Sequence, residues 1–186
     1  ALEGESDIIF SPNFFKVLAE ETTLSLDTQE IKTPNSIWEK IWELIEERYG
    51  KRKPVHNFSS IPHNDIGARA ASGSAHYAAM VVLPCSMKTL AAIAHGLSQN
   101  LIERAADVSL KEKRPLILCP RETPLSTIHL QNMFSLSQMG ATIMPLMPGY
   151  YHKPQTLNAL YDFMADRILR HLSLGVRTIT PWKEDI

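Results

Sequence analysis

A chain of 186 residues, 44% hydrophobic and 21% charged, has the size of one ordinary domain and the composition of a globular protein with a real core. Its net charge of −1 argues against a nucleic-acid binder and against a protein drawn to anionic membranes. No apolar run approaches the roughly 20 residues of a membrane span, and Ala1 to Asp7 is too acidic for a signal or transit peptide, so a cytoplasmic protein is expected.

In chain order, Ser6-Asp7-Ile8-Ile9-Phe10 reads as a short strand. Ser11 and Pro12 then start a helix, Ser as the cap and Pro at the first helical position. The amino end of that helix offers free N–H groups to an anion, and Ser11 is either a plain cap or a ligand contact. Pro34-Asn35-Ser36 opens a second helix, with Ile37, Ile41, Leu44 and Ile45 in one stripe and Trp38 and Trp42 beside it. From Tyr49 to Ala71 the chain reads as a long loop rich in Gly, Pro, Asn and Ser, of the kind that is a lid, an oligomer contact or mobile. Ala71-Ser72-Gly73-Ser74 follows, small enough for the close approach of a flat ligand or for a tight turn.

Tyr77 to Leu83 is an apolar run that stops at Pro84-Cys85-Ser86. A helical pattern with Leu90, Ile93, Ala94 and Leu97 on one face comes next. A second apolar run, Pro115 to Cys119, stops at Pro120-Arg121-Glu122. Continuous apolar runs alternating with helices predict a parallel sheet covered on both faces, and ligands on such sheets sit beyond the carboxyl ends of the strands. Leu125 to Met139 predicts a helix closed by Gly140, with His129 in its middle beside apolar residues. Ala141 to Met147 predicts a further strand, and Gln155 to Leu172 a last helix that turns Leu157, Leu160, Phe163, Ile168 and Leu169 to the sheet. The cysteines, Cys85 and Cys119, each close an apolar run without metal-like spacing; reduced, buried thiols are expected, with a nucleophilic Cys85 as the alternative.

Ser11, Glu21, Ser72, Ser86, Arg121, Glu122 and Tyr151 are expected near strand ends, and Arg104 and Lys111 lie on the helix before the Arg121 strand. Two carboxylates among cations and hydroxyls suit acid–base chemistry on a phosphorylated ligand. His76, His95, His129 and His152 are scattered, so no metal site is expected, and neither a Walker loop nor a G-x-G-x-x-G motif is present. The residues by themselves lead to an α/β protein that binds a phosphorylated ligand.

Five stretches carry more. Leu83 to Leu90, Asn100 to Val108, Leu110 to Leu116, Pro120 to Leu125 and Pro148 to Gln155 closely resemble the flavin prenyltransferases of the UbiX family, once called 3-polyprenyl-4-hydroxybenzoate carboxy-lyases. Ala19 to Thr22 and Ala71 to Ser74 match as well, and the resemblance runs from about Ser6 to Leu172. It implies a flavodoxin-like, Rossmann-like three-layer α/β sandwich with a parallel sheet, a single flavoprotein domain over 1–186, and assembly as a homododecamer. The implied reaction joins a dimethylallyl group from dimethylallyl monophosphate to N5 and C6 of reduced FMN without a metal, making the cofactor of a UbiD-type decarboxylase. By resemblance, Ser11, Ser86, Met87, Lys88, Thr89 and Arg121 contact FMN, and Ser72 lies at the flavin face. Lys111, Tyr151 and Arg167 hold the dimethylallyl phosphate, with Arg104 and Glu122 close by, and Glu21 or Glu122 moves the proton. Trp182 matches a family position over the site or at a subunit contact.

Family members carry a strand, a Gly-x-Ser-Gly-Ala-type loop that holds the FMN phosphate, and most of a helix ahead of the position of Asp7. Ala1 corresponds to the end of that helix, so the sequence is expected to be part of a longer chain; a lost phosphate subsite is the alternative. Two other readings compete: an FMN-dependent cysteine-type decarboxylase of the same superfamily, and a non-catalytic flavin-binding subunit. The Pro84 to Thr89 turn, Pro120-Arg121-Glu122, Tyr151 and Arg167 favour prenyl transfer.

Overall fold

The computed structural model of the chain describes residues 5–21, 43, 46 and 57–172. Numbered among these, the elements are β1 (Glu5–Ile9), α1 (Pro12–Glu21), β2 (Asn57–Ile61), β3 (Met80–Cys85), α2 (Met87–Ala94), α3 (Leu101–Lys111), β4 (Leu116–Pro120), α4 (Thr127–Gln138), β5 (Thr142–Ile143) and α5 (Leu157–His171). They divide between two compact units, one within Ala1–Ala75 and Ser98–Ala105, the other within His76–Leu97 and Ala106–Ile186.

In the first unit, β1 and β2 pair in parallel, in register from Glu5 with Asn57 to Ile9 with Ile61. Pro12 takes the first position of α1 as expected; the Phe14 amide donates to the Ser11 carbonyl at 3.0 Å, and the Phe10 and Phe14 rings meet at 4.8 Å. The expected Tyr49–Ala71 loop is corrected: it contains β2 and a 3-10 turn at Arg69–Ala71. Asn57-Phe58-Ser59-Ser60-Ile61 has weak strand propensity, but β1 supplies a complete backbone ladder that overrides it. Of the helix expected from Pro34, only Glu43 and Glu46 are described, both helical. Its stripe, Trp38, Trp42 and, near the carboxyl end, Trp182 lie outside the described residues.

α3 begins in this unit with its donors answered. Asn100 Oδ1 accepts from the Glu103 amide at 3.0 Å, while the Glu103 carboxylate accepts from the Gln99 amide at 2.9 Å and from Asn100 Nδ2 at 2.8 Å. A buried carboxylate at a helix amino end is thus hydrogen-bonded and faces the positive end of the helix dipole.

In the second unit, β3, β4 and β5 form a parallel sheet in the order β3-β4-β5. The strands were expected to share one sheet with β1; among the described residues β1 and β2 form a separate two-stranded sheet. All five residues of β4 are buried. Ile117 and Cys119 pack against Ile168 of α5, with Val81, Met144, Leu146 and Leu172 around them. Leu116 and Leu118 point the other way by strand alternation and are also buried, so β4 is covered on both faces. α2 packs against α4 and lies along β4.

Several expected boundaries move, each for a physical reason. β3 begins at Met80 rather than Tyr77, because its partner begins at Leu116; the Met80 amide donates to the Pro115 carbonyl, and earlier residues have no facing strand. β5 shrinks to Thr142–Ile143, although Met144 and Leu146 still donate to Leu118 and Pro120, because Pro145 has no N–H to give the ladder. Leu97, expected on the buried face of α2, is exposed: the helix stops at Ala94 and Gly96, at φ 67°, turns the chain away. Leu157, expected toward the sheet, is exposed in the first turn of α5, whereas Phe163 and Ile168 are buried. His129 is not mid-helix but third in α4. Its ring accepts from the Ser126 amide and its own amide donates to Ser126 Oγ, a reciprocal cap.

Both cysteines are free and buried, as expected. Burial, and secondarily the charge of Cys119, pushes the Cys85 thiol up to about 12; burial pushes Cys119 up to about 11. Neither forms a nucleophilic thiolate near neutrality, which removes the nucleophile alternative for Cys85. Both folded values lie above the ordinary 9.0, so the unfolded chain ionises first and stability declines from about pH 9 toward pH 12. Replacing both cysteines by Ala should flatten that decline in denaturation curves taken across this range. Aromatic disulfide reagents should label neither thiol in the native state and both in denaturant. Leu118→Ala, in the doubly covered strand, should lower unfolding free energy by about 2–5 kcal/mol in urea titration.

Candidate functional site

Because β3, β4 and β5 are parallel, their carboxyl ends share one edge. Cys85 pairs with Pro120, so Ser86 and Arg121 each take the first position beyond it. The bonds from Met144 to Leu118 and from Leu146 to Pro120 carry the third segment to the same edge, where Met147 to Lys153 leaves the sheet. Three crossings therefore deliver Ser86, Arg121 and Tyr151 to one rim, where a parallel sheet presents ligand-binding groups.

Ser86 caps α2. Its Oγ accepts from the Thr89 amide at 3.1 Å and donates to Thr89 Oγ1 at 3.0 Å. Met87 and Thr89 are half-buried and Lys88 is exposed. The helix thus starts directly at the rim, its dipole positive there. Arg121 and Glu122 are both exposed. The Glu122 carboxylate accepts from the Thr123 amide at 3.0 Å, next to Arg121 in sequence.

Tyr151 sits in an aromatic cluster on α5. Its ring meets Phe163 edge-on at 5.6 Å and His152 edge-on at 5.7 Å, while His152 and Phe163 stack in parallel at 5.1 Å. Gly149 is required beneath them: a Cβ there would lie 2.9 Å from Tyr151 Cε1 and 3.2 Å from Phe163 Cζ. Arg167, exposed, follows Phe163 by one turn of α5. Its neighbour Asp166 is buried and paired with Arg170 Nε.

The second unit thus brings together Ser86, Met87, Lys88, Thr89, Arg121, Glu122 and Tyr151 at the rim, with Arg167 on the helix that carries the Tyr151 cluster. Lys111 stands apart. It ends α3 just before the turn into the amino end of β4, about 15 Å along the strand from Arg121, with its amine 3.5 Å from Glu112 Oε1. Ser11, Ser72 and Arg104 belong to the first unit. Ser72 closes the 3-10 turn, and its hydroxyl lies 2.9 Å from that of Ser74. Glu21 ends α1, and its side chain lies outside the described ones. The sequence reading missed Gly149, His152 and Asp166. The i, i+4 spacing of Asp166 and Arg170 on a helix was a usable signal; the ring cluster had none, because it depends on the path of the 147–153 turn.

Among the described residues no group of three or more His, Cys, Asp or Glu side chains could hold a metal, and no helix is long and apolar enough to cross a membrane. The rim offers an anionic ligand hydroxyls, a helix amino end and a guanidinium.

Comparison with known proteins places this geometry. The Flavoprotein family pattern matches residues 4–169. A flavin prenyltransferase UbiX of Alkalihalophilus pseudofirmus is 45% identical over 175 residues, 87% of this chain and 88% of that protein. Some other flavin prenyltransferases match over less than two thirds of their own length, 58% for that of Pseudomonas aeruginosa. Among solved structures, a dodecameric FMN-dependent UbiX-like decarboxylase from Escherichia coli O157:H7 superposes with a TM-score of 0.77 at 35% identity, covering 96% of this chain and 84% of that one. AnUbiX in complex with FMN and dimethylallyl pyrophosphate gives 0.74 at 33% identity, over 95% and 83%. The fold is therefore α/β and flavodoxin-like, and the chain belongs to the Flavoprotein family and, within it, to the UbiX flavin prenyltransferases.

Proposed function

We propose that this protein transfers a dimethylallyl group from dimethylallyl monophosphate to reduced FMN, at N5 and C6, as a flavin prenyltransferase. The observation that carries this is the joint delivery of Ser86, Arg121, Glu122 and Tyr151 to one rim of the parallel sheet, in a chain whose relatives bear that name. Names among the relatives favour this over the cysteine-type decarboxylase. FMN is a substrate here and leaves as product.

Each residue has a task. Ser11, Ser86, Met87, Lys88, Thr89 and Arg121 bind and orient FMN, and Ser72 lines the flavin face. Tyr151, Arg167 and Arg104 hold the phosphate; Lys111, at the far end of β4 from this rim, takes no part in it within one chain. When the allylic C–O bond breaks, both electrons go to the departing phosphate, and cations and a phenol aimed at it stabilise that charge more in the transition state than in the ground state. Bonding at N5 releases the N5 proton, and closing the ring at C6 adds a proton to the prenyl double bond and releases the C6 proton; Glu122 or Glu21, with the departing phosphate, carries these transfers. The single family pattern over 4–169 supports one flavoprotein domain across 1–186. The dodecameric neighbour supports a homododecamer. A cytoplasmic location and delivery of the product to a UbiD-type decarboxylase complete the reading.

Incubation with reduced FMN and dimethylallyl monophosphate should yield an extracted flavin heavier by one prenyl unit. Flavin of unchanged mass would remove the transferase reading. Glu122→Gln should cut turnover about 100-fold with FMN affinity retained, the usual scale for a lost acid–base group. Tyr151→Phe should raise KM for dimethylallyl monophosphate about tenfold, as for one lost hydrogen bond to an anion. Steady-state kinetics with flavin titration checks both.

A further inference from the structure

Tyr151 reaches the rim on a turn, not on a strand or helix, so something must fix its ring. The Tyr151 hydroxyl can serve a substrate only with its ring plane set. Two aromatic neighbours contribute to this: the parallel pair of His152 and Phe163, with which Tyr151 makes T-shaped contacts at 78° to each. Edge-to-face contacts of this kind are directional, because the positive ring edge seeks the negative ring face. Phe163 is anchored in the buried face of α5. His152 is anchored by lying flat on Phe163, with an interplanar angle of 1°.

The imidazole nitrogens do nothing else. Both are closed off from solvent, and neither meets a hydrogen-bond partner among the described residues. A polar atom left so is unfavourable, and a hydrogen-bonding role would have placed a partner beside it. What the ring does offer is its π-system, stacked on Phe163 and in T-shaped contact with Tyr151. Gly149 shows how tightly the turn is drawn over the cluster, since even a Cβ would strike the Tyr151 and Phe163 rings.

We infer that His152 is a positioning residue for the transfer reaction: its ring, stacked on Phe163, holds the Tyr151 phenol in the orientation that receives the dimethylallyl phosphate. This rests on the proposed role of Tyr151. His152 touches no substrate; it acts through ring faces, so an aromatic replacement keeps the function and a truncation loses it.

The test uses His152→Phe and His152→Ala in the full chain. His152→Ala should raise KM for dimethylallyl monophosphate about tenfold with kcat within about threefold and FMN affinity unchanged, and His152→Phe should restore KM to within about twofold of the parent. His152→Phe should also unfold at a temperature equal to or above the parent's, since two unsatisfied nitrogens are removed. An independent readout needs no turnover. In protein labelled with fluorotyrosine, the Tyr151 fluorine resonance, identified as the one lost in Tyr151→Phe, should keep its position in His152→Phe and move in His152→Ala. An unmoved resonance in His152→Ala, or a His152→Phe enzyme as impaired as His152→Ala, overturns the inference, the second because the nitrogens would then be what matters. Absence of turnover in the parent protein would instead overturn the function reading, leaving the resonance to decide the ring contact.

Discussion

The doubly covered strand β4 is the constraint on which the second unit depends. A strand whose residues are all buried must satisfy every backbone group through its neighbours, and here β3 and β5 do so on either side. Parallel pairing in turn forces each connection to cross back over a face, which is why helices intervene between the strands. The same pairing aligns the ends. Cys85 beside Pro120 and Leu146 bonded to Pro120 mean that three chain segments leave the sheet within one rim, and the chemistry-bearing groups follow from that alignment and not from nearness in sequence.

The local capping chemistry is consistent with this arrangement. Ser86 and Ser126 each spend a side chain on the amino end of a helix, and Asn100 and Glu103 do the same for α3. A capped helix start is rigid, and at α2 the capped start coincides with the rim. Hydroxyls that look catalytic in sequence can therefore be structural in the first instance, serving a ligand through the amides they organise.

How much of this was legible before folding depends on the kind of signal. β4 announced itself through continuous apolarity and a Pro boundary, and its limits moved by one residue; α2 showed in its apolar periodicity but stops at Ala94, short of the expected Leu97. β2 was hidden, because Asn57 to Ile61 carries little intrinsic strand preference and owes its form to β1. Of the site, the five motif stretches named the rim residues, but no pattern in the sequence says that Lys111 ends up at the far end of the strand from Arg121. That follows from helix and strand running in opposite directions. The stacking of His152 on Phe163, eleven positions apart, was illegible for the same reason: it is set by the closure of a turn.

The sealed cysteines bear on a hazard of the chemistry itself. Reduced flavin reacts readily with dioxygen and releases hydrogen peroxide, so a protein that works on it is exposed to an oxidant made at its own surface. Peroxide attacks thiolates far faster than thiols, and the products climb from sulfenic to irreversible sulfonic acid. Cys85 is adjacent in the chain to the rim residue Ser86, yet it is 1% exposed and held as the neutral thiol. Its burial in the sheet leaves the oxidant no thiolate at the place where it would be generated.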